Sequence, residues 1–241
     1  MKLRAFGIGM IVLGLSLLPA VAGAATPPIG QVARITGSQL GNAEAPGAPA
    51  RKLVAGDPVF AGERIRTGAG TVLQIEFTDK SRFVLGPNSE FEVGRYSYAS
   101  GGAAEDAFHS RFIKGAFRFV TELIARSQKK SMTVSVAVAT IGIRGTHVEG
   151  EVTDRQEKGG QTVDASAKVV LLEPEGSDTG SAIVVENKFG SVVVDKPGYG
   201  TEIPDEKSPP SPAQRMQLRT IDNLLRVLRT PGQTGGPARR P

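Results

Sequence analysis

The chain has 241 residues, 39% of them hydrophobic and only 5% aromatic, with no cysteine and no tryptophan. Without cysteine there is no disulfide framework, no thiolate chemistry and no lipid-bearing cysteine behind a leader, so stability has to come from a packed core. The net charge of +5 sits at the ends: Lys2 and Arg4 carry +2, and from Lys207 onward seven basic residues face Asp222 alone for +6, leaving the body at −3. That distribution argues against a nucleic-acid-binding body.

Lys2 and Arg4 precede an apolar run from Phe6 to Leu18, then Pro19 and Ala22-Gly23-Ala24. This is the form of a secretory signal, residues 1–24, with cleavage expected after Ala24 or Ala25. The run is too short for a comfortable membrane span, and no later stretch is long and apolar enough to be one. A soluble, exported protein is expected, periplasmic or secreted, with residues 25–203 forming one domain.

Within that domain the dominant signal is period two. In Val72 to Phe77, Leu73, Ile75 and Phe77 share one face and Gln74 and Glu76 the other, the pattern of a half-buried strand. Thr78 to Ser81 reads as a turn, Phe83 and Leu85 as a second strand, Gly86 to Ser89 as a second turn, and Phe91 and Val93 alternate with Glu90 and Glu92 in a third strand. Met132, Val134, Val136 and Val138 repeat the alternation, and short runs follow at Lys168 to Leu172, Ile183 to Glu186 and Ser191 to Asp195. Gly41 to Pro49 and Ser97 to Asp106 read as flexible excursions. Short strands at even spacing predict an all-β barrel, sandwich or solenoid.

After Ile203 the composition changes. Residues 204–212 are expected to be an extended, proline-rich linker. Over 213–229, Met216, Ile221, Leu224, Leu225 and Leu228 recur at helical spacing with Arg215, Arg219, Arg226 and Arg229 on other faces, which predicts an amphipathic helix ended by Pro231. Residues 230–241 are expected to be disordered. The stripe has to cover a surface, because an isolated helix of that length is marginal in water. Arg215, Arg219, Ile221, Leu225, Arg226 and Leu228 are the expected contacts, with the body, a partner or a membrane surface, and the linker favours a tethered, separable contact.

One stretch raises a chemical question: "VATIGIRGTHVEGE", Val138 to Glu151, gathers Gly142, Gly145 and Gly150 around Arg144, His147, Glu149 and Glu151. A phosphate loop would feed a helix N-terminus, whereas the text after Gly145 alternates like a strand. Gly142, Arg144, Gly145 and Thr146 therefore read as a sharp bend or bulge, with Arg144 salt-bridged or capping a carbonyl there and available to a partner. His109 and His147 have no metal-ligand spacing, and no Gly-x-Ser-x-Gly elbow presents a nucleophile. Glu90, Glu92, Glu149 and Glu151 sit at alternating positions, the pattern of a solvated face, and Phe112, Phe117 and Phe119 read as core. No catalytic, cofactor-binding or metal residue is assigned.

In order, "GDPVFAGERIRTGAGTVLQIEFTDKSRFVLGPNSEFEV" from Gly56 to Val93, "FIKGAFRFVT" and "ATIGIRGTHVEGEV" resemble the FecR family of bacterial periplasmic domains over Gly56 to Val152, with a looser echo through "VVENKFGSVVVDKPGYGTEI". Departures are Lys80 where the turn after Asp79 usually has glycine, Ala137 where proline is common, and His147 where Asp is frequent. The resemblance implies a short-stranded β domain and an interaction or signalling role with another cell-envelope protein. The alternative is an envelope carbohydrate- or cell-wall-binding module. No enzyme activity, cofactor or nucleic-acid partner is expected.

Overall fold

The computed structural model describes residues 26–37, 41–98, 107–121, 131–144, 147–172 and 181–216. Every regular element among them is a strand: β1 (Gly30–Thr36), β2 (Gly41–Glu44), β3 (Arg51–Leu53), β4 (Pro58–Val59), β5 (Arg64–Arg66), β6 (Val72–Phe77), β7 (Arg82–Leu85), β8 (Glu90–Glu92), β9 (Tyr96–Ser97) and β10 (Ala107–Val120). There follow β11 (Ser131–Val136), β12 (Ala139–Arg144), β13 (His147–Thr153), β14 (Gln156–Lys158), β15 (Gln161–Val163), β16 (Ser166–Leu172), β17 (Ala182–Asn187), β18 (Gly190–Val194), β19 (Tyr199–Ile203) and β20 (Gln214–Arg215). The period-two segments thus form strands, and the domain is all-β.

Two sheets share one long strand. The first runs β4, β1, β6, β7, β10, β13, β16, β19, β20. The second runs β3, β2, β5, β8, β10, β11, β12, β17, β18. All these pairings are antiparallel except β10 with β11. Up to Lys114, β10 belongs to the second sheet; from Gly115 it pairs with β13 in the first. The hinge is Gly115, at φ 105°, where a Cβ would lie 2.1 Å from Ser89 Oγ. Only glycine lets the strand turn against that neighbour.

The curled sheets enclose one core. Phe77, Phe83, Phe91, Phe108, Phe112, Phe117 and Phe119 are buried in it, and each ring contributes on the order of 1.5–3 kcal/mol by leaving water. Phe83 and Phe119 lie with centroids 4.1 Å apart and Phe117 stacks on Phe119 at 4.5 Å. Both expected turns reverse the chain through left-handed residues, Lys80 at φ 71° and Asn88 at φ 54°, which explains why glycine is the usual residue after Asp79.

Several expectations change. Gly41 to Pro49 is not a free excursion, since β2 pairs with both β3 and β5. The proline-rich segment is docked: Pro210 is buried, Thr201 Oγ1 donates to Ser211 O at 2.7 Å, Glu202 N donates to Ser211 Oγ at 3.0 Å, and Asn187 Nδ2 donates to Ser208 O at 2.8 Å. Proline lacks an N–H, so such a segment can lie against a sheet without leaving donors stranded. Gln214 and Arg215 continue it as β20 on β19, not as helix. Arg219, Ile221, Leu225, Arg226 and Leu228 lie outside the described residues.

Candidate interaction surface

Of the signature stretch, Gly142 and Arg144 lie in β12 of the second sheet and His147 opens β13 of the first, while the residues between them, where the bend was expected, are not described. Gly142 lies inside β12, paired with Thr133 on β11 and Val184 on β17, and its φ is not positive. A Cβ there would meet Val184 O at 3.8 Å and Val184 Cβ at 3.9 Å, ordinary contact distances. The position that requires glycine is Gly150, where a Cβ would lie 2.3 Å from Phe117 Cζ. Glycine spacing alone does not separate a turn from a ring packed on a backbone. Arg144 ends β12 exposed, opposite Ala182, and makes no ion pair among the described residues, so the expected bridge or carbonyl cap is absent there. Gly145 and Thr146 lie outside the described residues. Arg215 is exposed on β20.

Around Gly142 the second sheet presents an unusual outer surface. Each strand puts alternate residues inward, so Ile183 and Val185 of β17 and Val194 of β18 are buried while Val184 and Val193 face out, directly opposite each other. Val184 is 38% exposed and Val193 58%, and Phe189 in the connecting turn is 44% exposed. Asn187 shapes that turn: its Oδ1 accepts from Phe189 N at 3.0 Å while its Nδ2 donates to Val138 O at 3.2 Å. Three of the five exposed large hydrophobic residues described in the molecule therefore share one hairpin, which makes a patch rather than scatter. Among the described strands β18 is laddered by register only to β17; Pro209 lies against its first residue, Gly190, and the main-chain groups beyond are available to another strand.

The patch grades into polar ground. Below it a shallow hollow of about 500 Å³ is bordered by Arg111, Thr140, Glu186, Asn187, Lys188 and Glu206. Further along the same outer face, Arg64 pairs with Glu90 and Glu92, and Arg66 with Glu44 and Glu90. The Arg66 guanidinium is held above its ordinary pKa, chiefly by its hydrogen bond to Glu44. Glu90 and Glu92 are thus on a solvated ion ladder, as expected. Glu149 differs: it is 5% exposed and His147 6%, because that face of the first sheet is covered.

The other chemically suggestive groups hold turns. Asp79 is buried, accepting from Ser81 Oγ at 2.7 Å and from the Tyr96 hydroxyl at 3.3 Å, while Tyr96 accepts from Asp79 N at 2.9 Å. Burial raises the Tyr96 phenol pKa, with Asp79 adding to the effect. Glu63 is buried and accepts from Arg51 at 2.9 and 3.0 Å and from Phe60 N at 2.9 Å. His109 Nδ1 bonds Thr133 Oγ1 at 2.5 Å across β10 and β11. Among the described residues no group of three or more His, Cys, Asp or Glu is arranged to hold a metal ion.

The sequence does carry a sign of the hairpin, though not in the glycine stretch. Val184-Val185 and Val192-Val193-Val194 are apolar on both faces, where a strand with one solvated face alternates.

The motifs now have structural roles: Glu63 anchors an edge, Lys80 and Asn88 make turns, and β12 and β13 flank the glycine stretch. Residues 63–171 match the FecR protein family. Over that stretch the chain is similar to the FecR family. The match spans β5 to β16 and stops short of the exposed β17–β18 hairpin. Two crystal structures of a protein described as a "putative anti-sigma factor" from Parabacteroides distasonis are also similar, at 14% identity and a TM-score of 0.47. They cover 67% of this chain, and the chain covers 64% and 63% of theirs, less than two thirds of their length. A likeness at that level carries no argument about role. No curated protein matches the chain.

Proposed function

We propose that the chain is an exported, non-enzymatic interaction module of the cell envelope, in which the FecR-like domain presents the β17–β18 hairpin to another envelope protein in a signalling role. One observation carries this reading: Val184, Phe189 and Val193 stand exposed on a hairpin whose outer strand is laddered by register only to β17 among the described strands. An incoming strand would gain main-chain hydrogen bonds from β18 and side-chain burial from the valine pair. Arg144, exposed at the end of β12, lies two strands in from that edge, on the far side of β17. The leader-like residues 1–24 support export, and the FecR match favours regulation over catalysis. Carbohydrate binding has no observation in its favour, since no aromatic ring borders the polar hollow.

The test is a photo-crosslinking residue at position 193 in cells making the full chain. A single adduct with an envelope protein is expected, lost in Val184→Asp combined with Phe189→Asp at unchanged melting temperature. The reading fails if no adduct forms, or if a crosslinker at Val54, 52% exposed and remote in sequence, captures the same protein equally well.

A further inference from the structure

The outward face of the first sheet carries a second apolar cluster, distinct from the core. Val72, Val84, Ala116 and Val170 form it, with Leu172 and Met216 packed against them. Their chain neighbours Leu73, Leu85, Phe117 and Leu171 point into the core, so these four point away from it. Yet Val72 is 2% exposed, Val84 8%, Ala116 7% and Val170 1%. A sheet face open to water leaves its valines exposed, as Val184 and Val193 show at 38% and 58%. The outward face of the first sheet therefore lies under a further layer.

We infer that this layer is the chain's own C-terminal segment, residues 217–229, folded as an amphipathic helix and laid across β16, β13, β10, β7 and β6. The path comes first. β20 pairs with β19 at the edge of this face, Met216 N donates to Gly198 O at 2.9 Å, and the Met216 side chain already packs on the cluster. The next residue thus starts at the margin of the apolar island.

Length agrees. Thirteen residues, 217–229, make a helix of about 20 Å at roughly 1.5 Å per residue. From β16 to β6 are four strand spacings, about 19 Å at roughly 4.8 Å each. The stripe Ile221, Leu224, Leu225 and Leu228 spans about 10 Å of that length and faces the middle and far part of the cluster, with Leu225 toward Val84 and Leu228 toward Val72.

Charge agrees as well. Glu149 and Glu151 alternate with core-facing Val148, Gly150 and Val152, so they sit on the covered face. Glu151 Oε1 is buried without a hydrogen-bond donor among the described residues, a costly state unless a donor arrives. The segment brings Arg219, Arg226 and Arg229 against a single Asp222. The stripe is thereby assigned to the body, which leaves the β17–β18 hairpin of the second sheet free for a partner.

The chain has no cysteine, so introduced pairs report cleanly. In the full mature chain, Val84→Cys with Leu225→Cys, and Val72→Cys with Leu228→Cys, should be joined within one molecule by a short bis-maleimide. Val193→Cys with Leu225→Cys is the control, expected to react at least about tenfold less because the two sites are not held together. No crosslink, crosslinks only between two chains, or crosslinks only with vesicles of anionic phospholipid would each overturn the assignment. Independently, Ile221→Asp combined with Leu225→Asp should lower the urea midpoint and raise binding of a hydrophobic dye. An unchanged midpoint refutes the docked helix.

Discussion

The glycines of the signature stretch should respond to alanine in opposite directions. At Gly150 the new Cβ would lie 2.3 Å from Phe117 Cζ, 2.7 Å from Phe117 Cε1 and 2.8 Å from Lys168 O, whereas carbon atoms pack at about 3.5–4.0 Å. The ring has to retreat by about 1 Å, and it is wedged between Phe112 at 4.6 Å and Phe119 at 4.5 Å. Lys168 cannot give way either, because β16 is laddered to β13 and β19. Overpacking of this kind costs about 1–3 kcal/mol, against which replacing a strand glycine returns roughly 0.5–1 kcal/mol. Gly150→Ala should therefore destabilise by about 1–2 kcal/mol, a fall of roughly 2–8 °C in Tm for a domain of this size. Gly142→Ala meets only ordinary contacts and should be neutral or raise stability by up to about 1 kcal/mol. Thermal melts with urea titrations of both variants measure the difference. A Gly150→Ala protein as stable as the parent, or a Gly142→Ala protein losing more than about 1 kcal/mol, would refute the assignment of which glycine the fold requires.

At the sheet crossover, Gly115→Ala combines a strained φ of 105° with a 2.1 Å clash on Ser89 and should cost on the order of 2–4 kcal/mol, read as a urea midpoint. Glu63→Gln keeps the shape but turns an amide toward the Arg51 and Phe60 donors; a loss of about 1–3 kcal/mol is expected by the same titration, and none if the pair is ornamental. Burial keeps the Tyr96 phenol protonated to higher pH than the ordinary value of 10.0. The native state then binds the extra proton once pH exceeds about 10, so this contribution is intact below that pH and lost as pH rises further. Tyr96→Phe, compared by urea unfolding at pH 8 and above pH 10, should lower stability at pH 8 by removing the bonds to Asp79 and Thr78 and show a shallower alkaline decline. An equally steep decline would mean that other groups govern it. Finally, sequencing the N-terminus of the exported protein should begin near Ala25 or Thr26 if residues 1–24 are a cleaved leader; an intact Met1 form confined to the cytoplasm would contradict export.

What the sequence determined by itself is what local backbone geometry encodes. Alternation of Leu73, Ile75 and Phe77 with polar residues requires a strand, because successive side chains of an extended chain point to opposite sides. The turns at Lys80 and Asn88 were legible because Asp, Asn, Ser and Gly tolerate reversed backbone, and Phe112, Phe117 and Phe119 were legible as core from their size. The tertiary structure decided everything that depends on which strand lies beside which. Gly142 and Gly150 look alike in the text, yet only one backs onto a phenylalanine from another strand. Glu90 and Glu149 share the same alternation, but one faces water and the other a covered sheet. The proline-rich segment reads as a tether until Ser211 finds β19. Val193 reads as one more core valine until its strand is seen to be laddered, among the described strands, to β17 alone. Period fixes the face a side chain takes, but what meets that face comes from residues far away in the chain, and no local pattern records them.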